Sequence, residues 1–309
     1  MNTPSNAMPE SSVESQVIAP AVISETRRMY WSVRRELWEN RSIYIAPLCA
    51  AAVILFGSLI STIRLPGKMR AALALDPMKQ HDAIAMPYDM AAALIMGAVV
   101  IVSVFYCLDA LHGERRDRSI LFWKSLPVSD LTTVLSKACI PLIVLQLLSF
   151  VITVATQFIM LLLSSVVLLA NGMSVTTLWT QLSLFQMSLM LLYHLLTVHA
   201  LWYAPLYGWL LLVSGWARRA AFLWSVLPVL AICVVEKIAF NTSHFAAMLV
   251  GRLGGGAEAV ALPGRFPIDP MMQLTPGRFL SSPGLWIGLA VFAACLAAAV
   301  RLRRYQGPI

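Results

Sequence analysis

Charge is scarce in this sequence. Asp, Glu, Lys and Arg together make up 12% of its 309 residues, whereas hydrophobic residues make up 59%. Soluble globular domains carry about 25% charged residues, so an ordinary soluble domain is excluded. Several runs of about 18 or more residues lack charge altogether, which is typical of helices that cross a membrane. The short alternating segments of an outer-membrane barrel are not found, and the sequence therefore predicts an all-α integral membrane protein.

Motifs that carry chemistry are also missing. The five cysteines form no CxxC pair, so neither a disulfide framework nor a zinc site is predicted. Gly67 and Lys68 are followed by Met69 and lack the upstream glycine of a nucleotide-binding loop. Glu236 and Lys237, at the end of an apolar run, are better explained as interfacial charges than as ion-coupling groups. We predict no catalytic residue, cofactor or metal in this chain, and we do not expect it to be an enzyme.

Six apolar runs are predicted to span the membrane. Their approximate bounds are 43–63, 90–108, 138–170, 182–216, 220–235 and 284–300. The run 138–170 exceeds the roughly 20 residues that a span needs, so it is expected to tilt or to project from the bilayer. Residues 1–23 are rich in Pro and Ser and predict a disordered tail rather than a cleaved signal peptide. The remainder, 24–309, is predicted to form one membrane domain with a long external segment at 236–283.

Residues 24–42 are predicted to form an amphipathic helix that lies in the membrane interface. Trp31 and Trp38 are a heptad apart and flank its apolar face, at headgroup depth. Arg34 and Arg41 fall within the apolar arc, where their stems can lie in lipid while their heads reach phosphate. The opposite, polar side is assigned to Arg28, Arg35, Glu36 and Glu39. The alternative is a solvated helix of a soluble segment.

The distribution of basic residues predicts the orientation. Of the 23 Lys and Arg residues, 15 face the cytoplasm when the N-terminus is placed inside. This follows the positive-inside rule and predicts a multi-pass, N-in and C-in protein of the cytoplasmic (inner) membrane of a bacterium. No compact basic domain is present, so nucleic-acid binding is not predicted.

The most charged window, 109–137, is a predicted cytoplasmic loop between the second and third spans. Glu114 and Arg118 are spaced i,i+4 and are expected to pair on a helix that faces water. Four consecutive apolar residues, 120–123, follow, which indicates docking against lipid or protein. The next proline should end this helix, and Ser129 should cap a second helix that runs into the third span. The alternative is a loop that only anchors two spans at the headgroups.

The order of these parts resembles the permease subunit of the ABC-2 type exporters. An interfacial helix, six spans, a charged helical loop after the second span and a large external segment before the sixth are arranged as in that family. Within the loop, ERRDRSILFWKSLPVSDLTTVLSK (114–137) resembles the family's cytoplasmic coupling helix. The resemblance covers about residues 24–305, and only the loop is specific. The Glu-Ala-Ala signature of importers does not occur in this loop.

The resemblance implies partners and roles. The chain would pair with a second permease subunit, as a homodimer or heterodimer, and with two copies of a separate ATPase subunit that binds ATP and Mg. The residues implied to couple to the ATPase are Glu114, Arg115, Arg116, Asp117, Arg118, Phe122, Trp123 and Lys124. The segment 238–283 would form part of an external gate.

Four polar ring side chains lie within the fourth run, namely Tyr193, His194, His199 and Tyr203. Because His194 and His199 are five residues apart, an α-helix would separate them by about 140°, so they are not expected to share a face. They are predicted to make interhelical hydrogen bonds or to line a polar cavity. Gly284 and Gly288 form a GxxxG motif that is expected to let two helices approach closely.

Together these observations predict a permease subunit that exports an apolar or amphipathic substrate, driven by a separate ATPase. A secondary transporter or channel is the first alternative, although neither intramembrane carboxylates nor an inverted repeat is found. A membrane-embedded enzyme and a non-transporting assembly or sensor protein are the others. Membrane lipid is the remaining expected partner.

Overall fold

The computed structural model describes residues 24–125, 128–254 and 276–305. The predicted disordered tail, 1–23, lies outside the described residues, as do residues 255–275 of the predicted external gate. Within the described ranges the chain is helical and has no strand, so the all-α prediction is confirmed.

Fifteen α-helices follow one another in the described ranges. They are α1 (Glu25–Glu39), α2 (Ser42–Ser61), α3 (Leu65–Leu73), α4 (Pro77–Ala110), α5 (His112–Arg116), α6 (Ile120–Ser125), α7 (Asp130–Cys139), α8 (Leu145–Ala170), α9 (Thr176–Gln181), α10 (Leu184–His194), α11 (Ala204–Trp216), α12 (Ala221–Phe240), α13 (His244–Leu253), α14 (Pro276–Leu280) and α15 (Pro283–Tyr305). A 3₁₀ turn (Thr62–Arg64) links α2 to α3, and two π-helical segments (Ile140–Val144 and Leu195–Trp202) join α7 to α8 and extend α10.

Six continuous helical segments of the described chain are long and apolar enough to cross a membrane. They are Ser42–Leu73, Lys79–Arg116, Asp130–Ala170, Thr176–Trp202, Ala221–Phe240 and Pro283–Tyr305. The predicted number of spans is therefore confirmed as a property of length and composition.

The first two spans are longer than predicted. The segment 64–89, expected to be a polar connection, is largely helical and extends both of its neighbours. Pro66 and Pro77 lie in the first turns of α3 and α4, where a missing N–H breaks no hydrogen bond. The prolines thus begin helices here.

The third span is continuous with the second helix of the loop. The π segment Ile140–Val144 contains Pro141, whose carbonyl accepts a hydrogen bond of 2.8 Å from the Gln146 side chain. A π turn and a side-chain donor are ordinary means of accommodating a proline inside a helix. As a result α7, the π segment and α8 form one helical segment of 41 residues, Asp130–Ala170.

Of the apolar clusters among the described residues, two are large. The first packs α2, α4, α7, α11 and α15 around Tyr207 and Leu211, which are 2% and 0% exposed. Close approach of α11 and α15 requires Gly208, because a Cβ there would lie 2.7 Å from Phe292. The second core lies between α3, α4 and α8, around Met69, Tyr88 and Leu161. The helix α12 stays largely exposed along its apolar length, as expected of a surface that contacts lipid.

Candidate functional site

The loop between the second and third spans is attached to the end of α11. The backbone N–H groups of Leu111 and His112 both donate to the Ser214 hydroxyl, at 3.0 and 2.9 Å. The Arg115 guanidinium donates to the Gly215 carbonyl at 2.7 Å. Carbonyls in the last turn of a helix have no partner within the helix, so Arg115 supplies one for the Gly215 carbonyl. These contacts fix the start of the loop on a neighbouring element.

Glu114 is the centre of an ion-pair network. It is 7% exposed, and its carboxylate lies 3.0 Å from Lys137 and 3.2 Å from Arg35, with Arg303 in direct contact. The predicted pair of Glu114 with Arg118 is wrong. The helix α5 ends at Arg116, and Arg118 follows it with a φ of 59°, so the two residues do not share a helix.

Glu36 is the second buried acid of the network. It is 0% exposed, its carboxylate accepts from Lys137 at 2.9 Å and from Arg35 at 2.7 Å, and the Tyr106 hydroxyl donates to it at 2.9 Å. Burial by itself favours the neutral acid, but Lys137 and Arg35 outweigh it and hold the pKa of the Glu36 carboxyl below its usual value. The assignment of Glu36 to the polar, water-facing side of its helix is therefore wrong.

A third acid, Asp130, completes the network through Arg303, whose guanidinium lies 3.2 Å from its carboxylate. The ionic cluster, as defined here, consists of Arg35, Glu36, Glu114, Asp130, Lys137 and Arg303. These residues come from α1, α5, α7 and α15. Among these six residues three acids face three bases, so their formal charges cancel and each buried charge has a partner, as burial of charge requires. The exposed Glu39 lies 3.6 Å from Arg35 at the edge of the cluster.

Several other residues of the loop are exposed, whereas Ile120 among them in the sequence is buried. Arg116, Asp117 and Arg118 are exposed. Leu121 and Phe122 are 60% and 59% exposed. The outer surface of the loop, as defined here, consists of Arg116, Asp117, Arg118, Leu121, Phe122 and Lys124. It combines both signs of charge with two exposed apolar side chains.

Trp123 joins the two sides of the loop. It is half-buried, contacts Phe122 edge to face, and carries the Arg35 guanidinium 3.8 Å above its ring. This cation–π contact connects α6 to the ionic cluster. The resemblance implies eight residues that couple to the ATPase. Of these, Glu114 and Arg115 are buried, Trp123 lies between the ionic cluster and the outer surface of the loop, and the other five belong to that outer surface.

The helix α1 presents aromatic side chains and arginine to the outside. Trp31 and Trp38 are 47% and 68% exposed, and the Arg34 guanidinium lies 5.1 and 4.8 Å from their ring centroids. Arg41 is exposed at the start of α2. The opposite side of α1 packs against the first apolar core through Val33. The exposed face is therefore that of the two tryptophans, while the side that carries Glu36 faces the protein.

The two histidines of the fourth span share a face, contrary to the prediction. The segment Leu195–Trp202 is π-helical, and a π-helix brings residues five apart into register. The rings of His194 and His199 are 5.2 Å apart, and Tyr203 is 5.3 Å beyond His199. The α-helical period assumed for the sequence was the source of the error.

Of these rings, Tyr203 contacts α13. The Tyr203 hydroxyl donates to the Leu253 carbonyl at 2.8 Å, while the Tyr193 carbonyl accepts from Thr197 at 2.7 Å. None of Tyr193, His194, His199 and Tyr203 lines the cavity of about 460 Å³ found between the first three spans. Within the described ranges no three His, Cys, Asp or Glu side chains converge as metal ligands would.

The GxxxG motif of α15 holds side chains of other helices. A Cβ at Gly284 would lie 3.3 Å from the Trp202 ring, and one at Gly288 would overlap the Arg252 guanidinium. Arg252 donates to the Gly284 carbonyl at 3.1 Å and lies 4.2 Å from the Trp202 ring centroid. The two glycines therefore leave space for the Arg252 side chain of α13. This contact lies at the end of α15 that is opposite to the ionic cluster.

Glu236 has a structural role at the neighbouring junction. Its carboxylate accepts from the backbone N–H groups of His244 and Phe245 at 2.6 and 2.9 Å, and from the Thr242 hydroxyl at 2.9 Å. These contacts satisfy orphan donors at the start of α13. The sequence offered no sign of this, because the cap comes from the preceding helix.

Comparisons with protein-family models, with curated proteins and with solved structures find no match to this chain. The class defined by the fold is accordingly the general one of a helical protein whose described residues include six segments able to cross a membrane.

Proposed function

We propose that this chain is the permease subunit of an ATP-driven exporter of the ABC-2 type. It lies in the cytoplasmic membrane of a bacterium with both termini inside, pairs with a second permease subunit, and binds two copies of a separate ATPase that holds ATP and Mg. The chain itself catalyses no reaction. Its role is to convert the ATPase's movement into export of an apolar or amphipathic substrate.

The main observation in favour of this proposal is that the ionic cluster supports the loop from the side opposite to its outer surface. A loop that only joined two spans would need no such support. Here Glu114 of α5 contacts Lys137 of α7 and Arg303 of α15, and Lys137 in turn contacts Glu36 of α1. A force applied to the loop is therefore passed to four elements together.

Covalent continuity provides two further routes for that force. The helix α5 follows directly on α4, the second span, and α7 continues into α8, the third span. Packed helices and hydrogen-bonded charges transmit displacement because they resist deformation. In the proposed mechanism, closure of the ATPase pushes on α6, and the second, third and sixth spans move with it.

The outer surface of the loop has the composition of a protein interface. Leu121 and Phe122 supply exposed apolar area, and Arg116, Arg118 and Asp117 surround it with charge. Apolar and aromatic residues at the centre of an interface supply most of the affinity, while charges at its rim favour association and register. This arrangement supports a soluble partner rather than lipid, since lipid would not favour the acid.

The experiment isolates the full-length tagged chain from its own cells in mild detergent. Bound proteins are identified by mass spectrometry, and ATP hydrolysis in the eluate is measured. The double variant R116E/R118E is compared with R27E/R304E, which reverses two exposed arginines outside the loop sequence 109–137. Arg115 is left intact, because it supports the loop through Gly215.

We expect a P-loop ATPase to co-purify with the unaltered chain, and R116E/R118E to lower its yield at least about tenfold. Such a loss corresponds to about 1.4 kcal/mol, a modest value for two charges at an interface. The R27E/R304E variant should stay within about twofold of the original yield. Absence of an ATPase from the unaltered sample, or equal yields from both variants, would overturn the proposal.

A further inference from the structure

A cavity of about 460 Å³ lies between the first three spans, at their ends remote from the ionic cluster. It is bounded by the end of α2, the 3₁₀ turn, α3 and Leu75 beyond it, the start of α4, the second half of α8 and one residue of α9. Its volume is in the range of small-molecule sites, which are mostly apolar with a few polar groups. Nothing in the proposed function above uses this cavity.

The walls of the cavity are apolar and adaptable. Three methionines, Met69, Met86 and Met160, contribute to them. Unbranched thioether side chains adjust to ligands of irregular shape, which is why methionine is common on promiscuous apolar surfaces. Tyr88 and Ser164 add one polar pair, in which the phenol donates to the serine hydroxyl at 3.3 Å. Such walls suit a hydrocarbon chain better than a polar solute.

The rim of the cavity has a positive charge. Lys68 is the one charged residue that lines it within the described part of the chain, and it is exposed. Together with Ala71 and Ala72 it forms one face of α3, at the spacing of helical turns. Arg70 is also exposed, but it lies about 200° away around the helix and does not line the cavity. A ligand in the cavity therefore has the Lys68 ammonium group at one end.

The depth of the cavity matches one leaflet. Ser58 and Lys68 follow Ile43 by 15 and 25 positions, which places them about 22 and 37 Å along the helix at about 1.5 Å per residue. The hydrocarbon region of a bilayer is about 30 Å thick. The cavity thus extends from the hydrocarbon to the headgroup level of the leaflet opposite the ionic cluster.

The cavity opens to the exterior of the bundle. Met86 is 63% exposed, and Pro87 beside it is exposed as well, although both line the cavity. At this depth the exterior of the bundle is lipid, so a ligand enters sideways from the membrane. Entry from the bilayer favours an acyl lipid over a water-soluble compound.

We propose that this cavity binds an anionic lipid of the leaflet opposite the ionic cluster. One acyl chain lies among Met69, Met86 and Met160, and the negatively charged headgroup lies against Lys68. Apolar burial holds the chain, and the ammonium group selects the headgroup by charge. The inference is independent of ATP-driven export, because it requires only this chain and a bilayer.

The test uses the full chain in nanodiscs, with phosphatidylglycerol that carries a photoactivatable diazirine on one acyl chain. A phosphatidylcholine with the same modified chain is the uncharged-headgroup control. After irradiation, the labelled peptides are mapped and quantified by mass spectrometry. The variant K68E is compared with its matched control R70E, which makes the same change of charge on the same helix. A second pair compares A71W, which fills the cavity, with A74W, which does not line it.

We expect phosphatidylglycerol adducts to concentrate on the peptides of Met69, Met86 and Met160. Reversal of one charge at the membrane surface should lower their yield at least about fivefold in K68E and by less than about twofold in R70E. A71W should lower the yield for both lipids, and A74W for neither. Labelling spread evenly over the exposed spans, equal labelling by the two lipids, or yields unchanged in both K68E and A71W would overturn the proposal. None of these outcomes depends on whether an ATPase binds.

Discussion

The ionic cluster makes a quantitative prediction about Lys137. This residue is 2% exposed, and its ammonium lies 2.9 Å from Glu36 and 3.0 Å from Glu114. Replacing it with methionine keeps the length of the side chain but removes the cation between two buried carboxylates. Loss of one partner from a buried ion pair costs about 3–5 kcal/mol, because the other charge is left without compensation.

That cost should be visible in thermal unfolding of the purified full chain. For a chain of this size about 2 °C of melting temperature corresponds to 1 kcal/mol, so K137M should melt about 6–10 °C below the original protein. Intrinsic tryptophan fluorescence in detergent is a suitable measurement. The matched control is K124M, a change of the same kind at an exposed position of the loop, which should shift melting by less than about 2 °C.

A double variant tests the mechanism rather than the size of the effect. Adding Glu36→Gln to K137M removes one of the two acids that lost their cation, so the cluster returns to equal numbers of acids and bases. The two changes should therefore cost less together than the sum of the single changes, by at least about 1 kcal/mol. Strict additivity, or a K137M melting temperature within about 2 °C of the original, would refute the reasoning.

Three other predictions follow from contacts described above. Because the folded pKa of Glu36 is below its usual value of 4.5, its stabilising contribution is present above pH 4.5 and is lost as the pH falls through the folded pKa; melting temperatures between pH 3 and 7 should drop less steeply in E36Q. Ser214→Ala removes the acceptor of two backbone N–H groups and should cost about 1–3 kcal/mol in chemical unfolding, whereas Ser61→Ala, exposed on α2, should cost under about 0.5 kcal/mol. Gly288→Leu should displace the Arg252 guanidinium and raise amide hydrogen exchange in α13, with no change in exchange in α1.

Much of the helical layout could be predicted from local sequence. Long uncharged runs were sufficient to count six spans, because apolar length is a local property. The cap at Ser129 was also predictable: its hydroxyl accepts from the Thr132 N–H at 3.1 Å, and α7 begins at Asp130. The boundaries at 64–89 were wrong because the uncharged runs end at Arg64 and Asp89, whereas the helices continue past these charges.

The ionic cluster could not be predicted from the sequence. Its members are far apart in the sequence; Glu36 and Lys137, for example, are separated by 101 positions. A helical wheel assigns Glu36 to water because it cannot represent a second helix that supplies a cation. The prediction that His194 and His199 lie on different faces was wrong for another reason. A helical wheel assumes 3.6 residues per turn, and the π-helical segment Leu195–Trp202 departs from that period.

The uninterrupted helix from Asp130 to Ala170 has a mechanical consequence. Its first residue belongs to the ionic cluster, and Met160 and Ser164 on the same helix line the lipid-facing cavity. About 45 Å of helix separates Asp130 from Met160 at about 1.5 Å per residue. A rigid rotation of about 5° about one end would move the other by about 4 Å over that length. A ligand that binds the cavity more tightly at one tilt of this helix must then favour the corresponding position of the loop, and so change the affinity of the loop for a bound protein. By linkage, that bound protein must change the affinity of the cavity for its ligand by the same factor.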